Sequence, residues 1–229
     1  APGDLVAAPP EDKRLRVRKA LLPDSRPDPY AFERVIGSRN LLGISYLSKG
    51  LEASKAVCRI QIRTVTGARD GYATGFLVAP GLLLTNRHVL TNAAVARSSL
   101  AEFNCSLDHN LVELPSRLFQ LLPQQLFFSD PDLDFAFVAV ALHATDGTPL
   151  REFGYLALIP SSGKAVDGEA VSIIQHPKGE PKQVVLRENH VVTLPEDQAP
   201  GRFRDFIHYT ADTERGSSGA PVFNDQWQG

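Results

Sequence analysis

The sequence holds no methionine and only two cysteines, Cys58 and Cys105, in 229 residues. So few cysteines exclude a disulfide-dense secreted scaffold. Both are expected as buried free thiols, with one bridge between them as the alternative, and Cys58 lies within the apparent strand 57–62. Neither has a metal-ligand spacing, and no metal or cofactor is expected. No apolar run approaches the roughly 18–20 residues of a membrane span, so no membrane partner is expected. No signal-peptide pattern stands at the start, and with the scarce cysteines this sets a cytoplasmic expectation. Charge of one sign is lacking too: 24 Lys and Arg face 26 Asp and Glu, for a net charge of −2. That excludes a global basic field for nucleic acid. Without methionine even at position 1, a processed chain or a piece of a longer polypeptide with other domains is expected.

What is present reads as one large all-β domain or two small ones. Residues 1–55 form an N-terminal arm and helical extension: an Ala/Pro-rich start, then a basic run (Lys13, Arg14, Arg16, Arg18, Lys19), then helices over 30–38 and 44–55. After that, short runs of Val, Ile, Leu and Phe alternate with Gly, Pro, Asp and Asn. Strands are predicted at 57–65, 72–79, 82–86, 101–107, 116–121, 133–141, 153–159, 169–175, 183–187, 189–194, 206–211 and 220–224. Many short strands with frequent turns point to a barrel or sandwich. Helix is predicted to interrupt them within 88–100.

Three blocks carry chemistry. His88 follows the run Leu82 to Thr85, so a strand ends in the core and presents it at the rim, as a general base requires. Asp134 opens the apolar run Phe135 to Val140. A carboxylate there is at risk of burial and needs a partner such as a histidine Nδ1–H. Asp132, two residues earlier, competes for that role. Ser218 stands in Gly216-Ser217-Ser218-Gly219, where the flanking glycines permit a tight turn and the N–H groups of Gly216 and Ser218 can converge on an oxyanion. Ser217 is the rival nucleophile. The order His, Asp, Ser is that of the chymotrypsin arrangement rather than of subtilisin or the α/β-hydrolases.

Thr85-Asn86-Arg87-His88, Asp134-Phe135-Ala136-Phe137 and Gly216-Ser217-Ser218-Gly219-Ala220-Pro221-Val222-Phe223 resemble the three blocks of chymotrypsin-fold serine endopeptidases. The bacterial trypsin-like and glutamyl-endopeptidase (V8-like) branch is the nearest match. The resemblance covers about residues 55–229. It implies a double β-barrel, with barrels at roughly 56–142 and 150–229 and the triad in the cleft between them. It implies His88 as general base and acid, Asp134 as its orienter, Ser218 as nucleophile, and Gly216 and Ser218 as the oxyanion hole. The implied partner is a protein or peptide substrate.

Some features depart from that pattern. Ser217 stands where animal trypsin-like enzymes carry the Asp that receives a new N-terminus, so cleavage after Arg34 is not expected to switch the enzyme on. Asp212 matches an S1 aspartate for Arg or Lys, while Thr213 matches the glutamyl endopeptidases, and P1 preference stays open between them. Only eleven residues follow Ser218, so the second barrel is expected to lack its last strands. An inactive or zymogen-like module that binds a protein partner is therefore the alternative expectation. No chemistry is assigned to His109, His143, His176, His190 or His208.

Overall fold

Alternation builds the first sheet. In Val57–Arg63 the side chains of Cys58 and Ile60 point into the core and are fully buried. The computed structural model describes residues 42–159, 168–192, 206, 208–210 and 214–228. The arm, the basic run and the helix expected at 30–38 lie outside them, as do Asp212 and Thr213.

In chain order, α1 (Ser45–Lys55) leads into β1 (Val57–Arg63), β2 (Arg69–Ala79) and β3 (Leu82–Asn86). Then come α2 (Ala93–Ser98), β4 (Leu100–Phe103), β5 (Arg117–Gln120), β6 (Phe127–Asp130) and β7 (Phe135–Ala139). The second half holds β8 (Ala170–Gln175), β9 (Gln183–Val192), β10 (His208–Tyr209) and β11 (Val222–Phe223). All described pairings are antiparallel, in the orders β5-β4-β1-β2-β3-β7-β6 and β10-β9-β8-β11. A bridge from Leu121 to Val140 joins the chain beyond β5 to the chain beyond β7, so the first sheet curls back on itself. The fold is all-β, a double barrel of the chymotrypsin type.

Phe103, Phe119, Leu83 and Val138 fill the first core with no exposure. A smaller cluster of Ala53, Val57, Ile174 and Phe223 ties α1 to the second sheet. The Trp227 indole covers Gly50 and donates to the Tyr46 carbonyl at 2.9 Å. Both cysteines are buried and free, and burial pushes the Cys58 thiol up to about 12.

Several element expectations are corrected. The helix within 88–100 shrinks to Ala93–Ser98, because Val89 and Leu90 are drawn into the core and Asn92 caps the first turn through Ala94 and Val95. The stretch 153–159 is no strand. A 3-10 turn at Leu150–Phe153 instead lays Phe153 against Phe103 and Phe119. The strands expected at 183–187 and 189–194 are one, β9, and β6 was not expected at all.

Candidate active site

Strand register brings the first two residues together. β3 pairs with β7 so that Asn86 lies opposite Phe135. His88 and Asp134 thus project just beyond the same end of the pair. The turn after Asn86 is anchored by buried Val89 and Leu90, while the His88 side chain stays 56% exposed.

Asp134 holds its backbone at φ +51°, a region that side chains other than Asn and Asp seldom adopt. Its carbonyl oxygen is held twice, by the Arg87 N–H at 3.1 Å and the Asn86 Nδ2 at 2.9 Å. The carboxylate then faces His88 squarely. Oδ1 accepts the His88 main-chain N–H at 2.9 Å, and Oδ2 lies 2.6 Å from Nδ1. An ionised carboxylate only accepts, so Nδ1 donates to it and Nε2 is the ring nitrogen left to act as base. Asp132 makes no such contact; its N–H caps onto Asp130 Oδ1 at 2.8 Å.

The serine segment lies against the same strands. The Thr74 N–H donates to the Ser218 carbonyl at 2.9 Å, and Thr74 Oγ1 donates to the Gly216 carbonyl at 2.8 Å. A Cβ on Gly219 would fall 2.2 Å from the Thr74 carbonyl oxygen and 2.3 Å from Thr85 Oγ1. Only glycine lets the segment approach β3 this closely, three residues before His88. The Ser217 N–H closes a turn onto the Glu214 carbonyl at 3.1 Å with Gly216 at φ +99°, the type II pattern. Ser217 is buried within this turn, whereas Ser218 is partly exposed. Among the described residues, the N–H groups of Gly216 and Ser218 and the Ser218 hydroxyl have no hydrogen-bond partner. His88 Nε2 and Ser218 Oγ are therefore not bonded to each other in this structure.

Two residues given no role from sequence support the site. Thr74 joins the sheets, because its hydroxyl also accepts the His176 main-chain N–H at 3.0 Å. Only its inward place on β2 could have flagged it. Asn86 stands two residues before His88, and its amide holds Asp134. The described residues contain no group of three side chains able to hold a metal ion.

His176 is fully buried; its Nδ1–H donates to the Glu180 carbonyl at 3.0 Å, and Nε2 has no partner among the described residues. Burial, the largest cause, drives its pKa from 6.5 down to about 3. The folded pKa lies below the unfolded one. The stability this neutral ring contributes is therefore whole above pH 6.5 and is lost as pH falls from 6.5 toward about 3. The slope is about 1.4 kcal/mol per pH unit within that window. A His176→Gln variant is expected to melt with a shallower pH dependence there, and an unchanged slope in thermal melts contradicts this.

A family model described as the trypsin-like peptidase domain matches residues 73–228. The uncharacterized protein y4fB of Sinorhizobium fredii (strain NBRC 101917 / NGR234) is 42% identical over 200 residues, covering 86% of this chain and 30% of its own length. The secreted RxLR effector protein 73 of Plasmopara viticola is 30% identical over 202 residues, covering 84% and 48%. The chain thus spans less than half the length of these relatives. Among solved structures, the serine endoprotease of Yersinia pestis is similar with TM-score 0.54 and 16% identity, over 82% of this chain and 56% of that one. Deg5 is similar with TM-score 0.54 and 19% identity, over 83% and 85%. With the double-barrel fold, the match over both sheets shows that this chain belongs to the trypsin-like peptidase domain family.

Proposed function

We propose that this chain is a serine endopeptidase that cleaves peptide bonds through an acyl-enzyme. The observation that carries this reading is the aim of both Asp134 carboxylate oxygens at His88, beside a glycine-turned serine with free neighbouring N–H groups. His88 Nε2 takes the proton of Ser218 Oγ as the oxygen bonds to the substrate carbonyl carbon. The tetrahedral oxyanion lies between the N–H groups of Gly216 and Ser218. Nε2–H then passes its proton to the departing amine as the C–N bond breaks. Water, deprotonated by the same Nε2, releases the acid and restores Ser218. Asp134 stays ionised and keeps the ring in the tautomer that this cycle needs.

P1 preference is proposed for Arg or Lys through Asp212, or for Glu through Thr213 as in the V8-like branch. The greater length of the relatives supports a peptidase unit working within a longer polypeptide. One observation favours a second reading, a non-catalytic module of the same fold: Nε2 and Oγ are not hydrogen-bonded. Such bonds often tighten only when substrate is bound, so the peptidase reading stands first.

Incubation with a peptide library, with product mapping by mass spectrometry, tests the two. Cleavage after one class of residue supports the peptidase, and intact peptides support the binding module. Gly216→Ala is expected to cost about 10²–10³ in kcat, the scale of one lost oxyanion donor. A Cβ there falls 2.5 Å from the His176 carbonyl oxygen and forces the turn open. Wild-type kcat in this variant contradicts the assigned hole.

A further inference from the structure

We infer that Lys178 and Glu214 are positioning residues that clamp the oxyanion turn in its productive form. The inference rests on the serine-peptidase reading and goes beyond it. The peptide linking Arg215 to Gly216 carries a carbonyl on one side and the Gly216 N–H on the other. Turning it over by half a rotation exchanges a type II turn for a type I turn. The Arg215 oxygen would then point where the substrate oxyanion must sit. Glycine at 216 tolerates both forms, so the choice falls to whatever holds that oxygen.

Lys178 holds it. Its main-chain N–H donates to the Arg215 carbonyl, and its Nζ lies 2.9 Å from Glu214 Oε2. One residue thus grips the turn at two successive positions. To do so Lys178 sits at φ +55°, a conformation its Cβ disfavours, inside a turn closed by the Gly179 N–H on the His176 carbonyl and the Glu180 N–H on the Pro177 carbonyl. The turn at Pro177–Gly179 is itself fixed to the first sheet. The Arg59 guanidinium donates to the Gly179 carbonyl, His176 N–H donates to Thr74 Oγ1 at 3.0 Å, and Gly179 packs on the Tyr72 ring. The Glu214 carboxylate raises the Lys178 ammonium above the ordinary lysine value, as a formed pair should. Neither residue touches reacting atoms.

The test is the second-order rate of fluorophosphonate labelling at Ser218, because the adduct places an oxygen in the hole. Lys178→Gly keeps the N–H and eases the backbone but removes the ammonium, and Glu214→Gln removes the carboxylate. Each is expected to label about two- to fivefold more slowly, the range an exposed ion pair can supply. The acid limb of the pH–rate profile, which reports the base, stays in place. At 1 M salt the wild-type rate falls toward that of the variants, since the screening length shrinks to about 3 Å. The double reversal K178E/E214K restores the low-salt rate. Singles that match wild type, or a double reversal no faster than the singles, overturn the clamp alone. Wild-type protein that is never labelled at Ser218 overturns the peptidase reading, and the clamp with it.

Discussion

Ser218→Ala is expected to lower kcat by about 10⁶, the scale reached when a triad nucleophile is lost in subtilisin-type enzymes. The effect is large because no neighbour can substitute. Ser217 is adjacent, but it is buried in the turn that its N–H closes onto Glu214. Its hydroxyl lies toward the Glu214 N–H at 3.3 Å rather than toward His88. The fold is expected to survive, because the Thr74 bond to residue 218 uses the main-chain carbonyl. Single-turnover kinetics on an activated ester, with thermal melts as control, measure both. A loss below tenfold in a folded variant means that another group attacks.

Asp134→Asn is expected to cost about 10⁴ in kcat at neutral pH. The substituted amide keeps the φ +51° conformation, which Asn tolerates, and one oxygen can still accept the His88 main-chain N–H. Its NH₂ then faces Nδ1 at the 2.6 Å position and donates to it. The ring must move its proton to Nε2, where the lone pair for Ser218 is needed. The variant should therefore fold, with KM little changed and kcat collapsed. The kcat and KM values of a peptide substrate decide this. A kcat within tenfold of wild type would show that Asp134 does not set the tautomer.

The fold and the candidate site were legible in sequence to different depths. His88 and Asp134 stood out because one closely follows the apolar run Leu82 to Leu84 and the other directly precedes Phe135–Ala139. The structure pairs those strands and places the two residues in contact. Glycines around Ser218 announced a tight turn, and φ values of +99° and +84° at Gly216 and Gly219 are that turn. Other features depend on tertiary context. Val89 and Leu90 read as the start of a helix, but the core claims them. Phe153 reads as strand, but the gap beside Phe103 and Phe119 takes it in a 3-10 turn. Thr74 carries no local signal beyond its inward place on β2. Its contacts arise where one sheet meets the loops of the other, across separations no motif spans.

The proposed peptidase depends on His88, Asp134 and Ser218 acting as one working nucleophile. Treating the folded chain with a fluorophosphonate probe, and mapping the adduct by mass spectrometry, tests it most directly. A single adduct at Ser218 is expected, absent in Ser218→Ala and strongly slowed in Asp134→Asn. A folded wild-type chain that stays unlabelled, or is labelled at another residue, would contradict it.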